Sequence, residues 1–295
     1  MSTLWVACWT SFTWTQVLVA GVAGLAVCQL NLFLTTAVLH RGLTHGAIAY
    51  SGWLKRSVAA WLFLTASVPP LTWSAAHRHH HANSDTPEDP HSPGRKGFWR
   101  VLLLTWYYVP SWARANWTVA TERYLQALHR ERLLHLLDRP ATANTNFYLQ
   151  LALSLALGPV AMAFWLARLA PYMLLSGYVN SVGHTLGDRP YDNLGTNARG
   201  ALQTILSYMV GGETLGHNYH HRYPTSARFR HDCFDPGFWF ATTILRGVPV
   251  RSPVGPGHTG SPPRSSDRRA GAGARRRVTT GASRSASAGG PDTRS

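Results

Sequence analysis

Ten of the fifteen histidines in this 295-residue chain fall into four short clusters: His40-Arg-Gly-Leu-Thr-His45, His77-Arg-His-His80-His81, Asn180-Ser-Val-Gly-His184 and His217-Asn-Tyr-His220-His221. Neutral imidazole is a borderline ligand for iron, zinc and copper, so histidines grouped in this way point to metal chemistry and to a pair of ions. Helix positions i, i+3 and i+4 share a face, and both the His77, His80, His81 and the His217, His220, His221 triplets have that spacing. Each triplet is expected to point into one site. Asn180 and His184 form an i, i+4 pair with the same property. His40 and His45 are five apart, about 140° around an ideal helix, so they converge only at a helix end or a local unwinding, which Gly42 permits. A lone histidine is usually a surface or satisfied core residue, and an HRHHH run alone could be an adventitious metal-binding loop. Two triplets, a pair and the Asn180/His184 element, interleaved with apolar segments, outweigh those readings.

The four clusters, together with Asp89-Pro-His-Ser-Pro93, Asn180-Ser-Val-Gly-His-Thr-Leu-Gly-Asp-Arg-Pro-Tyr-Asp-Asn193 and Gly216-His-Asn-Tyr-His-His221, give the chain a resemblance to the integral-membrane fatty acyl desaturases of the stearoyl-CoA type over roughly residues 16 to 245. That resemblance implies a di-iron centre on the cytosolic side of a membrane, which uses O2 and two external electrons to remove two hydrogens from an unactivated acyl chain. His40, His45, His77, His80, His81, His184, His217, His220 and His221 would be its ligands and catalytic residues, with Asn180 a further ligand through a water. His79 fills the variable position of its motif and is left out. Zinc has no accessible redox chemistry, so iron is the expected metal. Asp85, Asp89, Asp188 and Glu213 are expected to orient ring N–H groups.

The resemblance implies a delta-9 cis double bond in a long-chain acyl thioester, with acyl-lipid as the alternative carrier. A hydroxylase or ketolase of the same histidine-rich membrane type is a second function class, and an inactive metal- or lipid-binding relic a third. The Asn180 to Asn193 match favours desaturase. Ala75 and Ala76 stand before the second triplet, where acyl-CoA desaturases commonly carry Arg and Asp, so Arg95 and Lys96 become the candidate phosphate contacts. Trp73, Phe98, Trp106, Trp165 and Tyr178 are expected to line a narrow apolar slot for the chain, since an alkyl substrate offers only shape and dispersion. Electrons are expected from a separate ferredoxin or haem protein with its reductase, an acidic partner suiting a basic cytosolic face. Membrane lipid is the other expected partner, and nucleic acid is not expected.

The elements that must position these residues follow from hydropathy. The sequence predicts an all-α integral membrane protein, nominally of four spans in two hairpins, with a cytosolic helical cap (residues 40–145 and 184–250) on a membrane domain of residues 1–250. A span needs about 20 apolar residues, which Thr15 to Leu39 and Phe147 to Ala167 supply. Val58 to Leu71 is short and lies between two histidine clusters that must face one compartment, so it is read as a cap helix or re-entrant segment. Asn116 to Leu137 reads as one amphipathic helix. Arginine-rich residues flank the histidines and mark the cytosolic face of a cell-membrane protein. Phe147 to Asn180 offers 34 residues, about 51 Å of helix against about 60 Å for two crossings, so each hairpin is predicted to pair a full span with a shortened one. The second hairpin would turn near Gly158-Pro159 or Ala170-Pro171.

The formal charge is +15, and nine arginines against two aspartates fall in residues 251–295, a Gly, Ser, Pro and Arg-rich segment. Such a composition buries too little apolar surface to order itself and is read as a disordered tail attracted to anionic headgroups. Cys8, Cys28 and Cys233 show no framework spacing, which argues against a disulfide scaffold.

Overall fold

The computed structural model describes residues 2–128 and 130–250, so the expectation of a disordered tail at 251–295 lies outside the described residues. Within them the chain is mostly helical. Two helices are long and apolar enough to cross a membrane: Trp14–Thr44, of 31 residues, and Pro159–Thr185, of 27. At 1.5 Å per residue these run about 46 Å and about 40 Å, beyond a 30 Å hydrocarbon core, so their last turns carry chemistry out of the apolar layer.

The amino-terminal hairpin joins α1 (Ser2–Thr10) to α2 (Trp14–Leu34), which starts at a capping box between Thr13 and Gln16. Beyond Leu34 the same helix widens into a π-helical segment, Thr35–Thr44. The α3 helix (Gly52–Ala66) breaks at Ser67, which adopts φ 53°, and α4 (Pro70–Ala82) leaves at 95° to it. That bend answers the Val58 to Leu71 question: the apolar stretch closes α3, turns at Ser67 to Pro69 and opens α4.

After a short α5 (Pro93–Lys96), α6 (Phe98–Ala115) crosses the long carboxy-terminal span. The crossing is close enough that a Cβ at Gly177 would run into the carbonyl oxygen of Leu102, which only glycine avoids. The expected single helix over Asn116 to Leu137 does not form. In its place come α7 (Trp117–Val119), a π turn at Ala120–Tyr124, a 3-10 turn at Gln126–Leu128 and α8 (Arg132–Leu137). Arg78 takes the Tyr124 carbonyl as a hydrogen-bond acceptor, and Leu125, Leu128, Leu134 and Leu137 are buried, so tertiary packing overrides the helical period.

The second hairpin pairs α9 (Pro140–Leu157) with α10 (Pro159–Thr185). It turns at Gly158, whose φ of 87° suits glycine, and runs helical through Pro171, so the second of the two turn positions is not used. The expected unbroken span from Phe147 to Ala167 is therefore divided. Helix α9 begins seven residues before Phe147, because Asn146 and Gln150 find acceptors on α3, at the Phe63 and Leu64 carbonyls (both 2.8 Å). Those extra residues relieve the length shortage, and the 18-residue α9 remains the shorter partner. Helices α11 (Gly200–Met209), α12 (His217–Arg222) and α13 (Pro236–Trp239) follow, and strands β1 (Ile48–Ala49) and β2 (Val248–Pro249) pair antiparallel. The architecture is that of an all-α membrane protein with a histidine-rich cluster at one end of its spans.

Candidate metal centre

The π segment solves the five-residue problem of His40 and His45. A hydrogen bond spanning five residues, from the His45 amide to the His40 carbonyl at 3.0 Å, widens the turn, and the two rings come to 4.9 Å. His77, His80 and His81 lie on α4, whose first amides are held by Asp138: Leu71 N donates to Oδ2 at 2.8 Å and Thr72 N to Oδ1 at 2.6 Å. His184 is on the last turn of α10, and His217, His220 and His221 are on α12.

The rings form two groups. His40, His45, His77, His81 and His220 bring one nitrogen each within 4.8 Å of one another, and so do His80, His184 and His221. His217 joins the second group, with Nε2 3.1 Å from His184 Nε2 and 3.2 Å from His221 Nε2. The expectation that each triplet serves one site is corrected here. Neighbouring residues of a helix point about 100° apart, so His80 and His81 diverge to different groups, and so do His220 and His221. The i, i+4 pairs His77/His81 and His217/His221 stay together.

Carboxylates fix the tautomers. His40 Nδ1 donates to Glu213 at 2.8 Å, His80 Nδ1 to Asp89 at 2.9 Å and His184 Nδ1 to Asp85 at 2.9 Å. Burial alone would raise the Asp89 carboxyl, but the His80 and His91 rings and the His91 amide outweigh it and hold it well below the usual range. Glu213 and Asp85 are depressed in the same way, burial being outweighed by His40 and by His184 respectively. Asp188 is not of this set: it pairs with Arg199 at 2.5 Å near the surface.

With Nδ1 protons committed, His80 Nε2 and His184 Nε2 face each other at 3.1 Å as two lone pairs. Burial and the neighbouring imidazoles also hold His217, His220 and His221 well below the ordinary histidine value, so these three rings add further neutral lone pairs. A shared cation relieves them. The donor set therefore fits metal ions, one per group, bound through neutral Nε2 atoms.

Three features escape the reading of spacing alone. His91 is buried, donates Nδ1–H to Asp89 at 3.2 Å and lies with His80 and Asp89 in a third close group. Its only signal was membership in the Asp89 to Pro93 motif. Arg41 is fully buried, bonding Asp235 (3.0 and 3.2 Å), Thr36 (2.6 Å) and the Ala227 carbonyl (3.1 Å), with its head 3.8 Å above the Phe229 ring. It also lies 4.0 Å from Glu213, whose carboxylate accepts from Thr36. A cation beside His40 at the end of an apolar run was the available clue. Asp138 had none.

A cavity of about 430 Å³ runs from these histidines between the helices. His40, His77, His91 and His217 line its deep end, and Asn180 lies on its wall rather than among the clustered nitrogens. Of the expected chain-contacting residues, Trp73 and Trp106 line it, and Trp73 stacks on His77 at 4.9 Å. Phe98, Trp165 and Tyr178 do not. Phe98 packs against the core, Trp165 against Phe147 at 5.8 Å, and the Tyr178 hydroxyl donates to the Gln203 carbonyl at 3.2 Å. Arg95 and Lys96 are also off the cavity: Arg95 reaches the Asp85 carbonyl at 3.4 Å and Lys96 sits 5.1 Å over Tyr108. His79 turns away to the Tyr124 hydroxyl and the Glu88 carbonyl.

Comparison with known proteins agrees with this geometry. The fatty acid desaturase family model matches residues 12–232. The acyl-CoA C20 Delta5-desaturase of Anemone leveillei is 31% identical over 225 residues, covering 74% of this chain and 67% of that protein. Delta-9 acyl-lipid desaturase 2 of Arabidopsis thaliana is 28% identical over 233 residues, covering 76% and 66%. The sn-1 stearoyl-lipid 9-desaturase of Anabaena variabilis is 27% identical over 224 residues, covering 74% and 76%. The chain thus spans about two thirds of the length of the first two relatives. A match over most of the chain, joined to a buried double cluster of imidazoles at the end of an apolar cavity, makes this chain a member of the fatty acid desaturase family.

Proposed function

We propose that the protein is an O2-dependent acyl desaturase that places a cis double bond at the delta-9 position of a long saturated chain, with iron in both imidazole groups. Iron, when bound, supplies the redox chemistry by which O2 takes two electrons from the chain and two from an external donor, giving two waters. His40, His45, His77, His81 and His220 would hold one ion, and His80, His184, His217 and His221 the other, with Asn180 as a further ligand through a water. The observation that carries the reading is the junction of both groups with one cavity, so that a bound chain passes the site of oxidation.

The remaining residues have ordinary physical tasks. Glu213, Asp85 and Asp89 keep the ring protons at Nδ1 and turn Nε2 inward. Trp73 and Trp106 give the chain an apolar wall, and such a wall positions an alkyl group by shape while excluding water. The delta-9 assignment is supported by the names of two of the relatives, both 9-desaturases, and the Delta5 name of the third marks the competing outcome. The flanking arginines support a cytosolic face for the centre, where a ferredoxin or haem protein would deliver electrons.

Expression in a host lacking its own delta-9 desaturase, followed by mass spectrometry of its fatty acids, tests the reading. A product two hydrogens lighter with the bond at carbon 9 supports it. A hydroxylated product, or no change in an iron-replete host, rejects it.

A further inference from the structure

The cavity changes character along its length, and its outer end shows what carries the chain. At the histidine end the lining is buried, with Thr36 about one turn before His40 and Thr72 about one turn before His77 on their helices. At the other end it is exposed: Trp106, Tyr107 and Tyr148 line the cavity while remaining 50%, 52% and 65% accessible. Those residues come from α6 and α9, so the opening lies between two helices rather than on top of the histidine cap. Helix α6 also exposes Trp99 and Leu103. A helix that shows large aromatic and aliphatic side chains outward, next to two spans, is built to lie against acyl chains and headgroups. Pro110, inside α6 and on the lining, removes the amide that would have bonded the Trp106 carbonyl, loosening the helix at the rim.

One charge stands at that rim. Arg114 is the single arginine or lysine among the described lining residues, it is exposed, and its hydrogen bond among the described residues runs from Nη2 to the Ser111 hydroxyl at 3.2 Å. It lies nine residues beyond the buried Thr105 on α6, about 13 Å along the helix. The adjoining Trp112 stacks on His79 of α4 at 4.5 Å, which puts this end of α6 beside the cap, at headgroup level. A planar cation with open donors, above an apolar slot and flanked by interfacial aromatics, matches a phosphate joined to an acyl chain.

We propose that the substrate is a phospholipid acyl chain admitted sideways from the bilayer between α6 and α9, with Arg114 binding the lipid phosphate. This rests on the acyl-desaturase reading and names its substrate class. A phosphate held at the rim sets the distance from headgroup to metal, so Arg114 is a binding and specificity residue.

The test uses the full chain, iron-loaded, with 1-stearoyl-2-oleoyl-phosphatidylglycerol, the matching stearoyl-oleoyl diacylglycerol, which lacks the phosphate, and stearoyl-CoA. Equilibrium binding of each is measured in detergent micelles, and KM and kcat in vesicles supplied with an electron donor. Arg114→Gln should weaken phospholipid binding about tenfold and raise KM more than it changes kcat, while leaving diacylglycerol binding unaltered. Arg114→Lys should restore most of the loss. Unchanged phospholipid binding in Arg114→Gln overturns the proposal, and so does wild-type turnover of stearoyl-CoA without turnover of phospholipid. Phospholipid binding that depends on Arg114, with no double bond formed on any carrier, upholds the lipid site and removes the desaturase reading instead.

Discussion

The two imidazole groups draw on the same two helices in mirrored proportion: α4 gives two rings to the first and one to the second, and α12 the reverse. They differ in what stands behind them. Behind the first is one carboxylate, Glu213 on His40, with Arg41 at 4.0 Å and tied onward to Asp235. Behind the second are two carboxylates from one loop, Asp85 and Asp89, held by the Ser92 hydroxyl, backbone amides and His91. Similar ligand sets thus sit in different charge surroundings: the first is compensated by a buried cation, and the second is left more negative. A metal ion placed in the second group meets the stronger field.

The bluntest test of this division removes one ring from each group. His80→Ala and His220→Ala should each abolish desaturation and each lower bound iron from about two to about one per chain, by elemental analysis of purified protein. Two irons retained in either variant would end the two-group picture. The next largest effect belongs to Arg41. Arg41→Met leaves Asp235 buried without its cation and should cost about 3–5 kcal/mol in chemical denaturation. A loss under about 1 kcal/mol would show that the first group is not charge-compensated through Arg41.

Finer discrimination comes from the carboxylates. Asp89→Asn should weaken one of two cobalt-binding steps by about 10–100-fold and spare the other, and Glu213→Gln should do the converse. Equal weakening of both steps by either variant would erase the contrast. Smallest, and common to both groups, is Asp138→Asn, since α4 serves both; the cost near neutral pH should stay near 1 kcal/mol, as for a lost helix cap. Burial pushes the Asp138 carboxyl up to about 6, against the hydrogen bonds from Leu71 and Thr72. The folded protein therefore takes up this proton before the unfolded chain, whose carboxyl titrates near the ordinary aspartate value. Wild-type stability should rise relative to the Asn variant as pH falls from about 7 to about 4. Parallel pH profiles of the two proteins, measured by thermal melting, would refute that assignment.

What could be read from the sequence was local. The histidine spacings are properties of a single turn, and the misfit of His40 and His45 already called for an unwound segment, which the π turn supplies. Asp85, Asp89 and Glu213 were legible as carboxylates near histidines, but the same rule also selected Asp188, which instead turned to Arg199. Nothing in the spacing told which ring served which group, because that depends on how α4 and α12 face each other. The early start of α9 was hidden for a similar reason: Asn146 looks like a loop residue until α3 offers an acceptor. Leu125 to Leu137 kept its amphipathic composition while losing its helix to contacts made elsewhere. The apolar slot was foreseen, but its wall was misjudged at Phe98, Trp165 and Tyr178, since a hydrophobic residue does not announce which side of a helix bundle it will face.

The doublets His80-His81 and His220-His221 give the centre a built-in ruler. Each doublet splits between the groups, so the gap between the two positions is spanned twice by adjacent residues of a helix, whose relative placement is fixed by covalent geometry. Changing that gap would require unwinding α4 or α12, whereas sliding either helix bodily carries a ring of both groups with it. The spacing between the two ring groups is therefore insensitive to what fills the slot, and to modest shifts of the spans as bilayer thickness varies. Such a centre can ride on a deformable membrane anchor and keep one calibration.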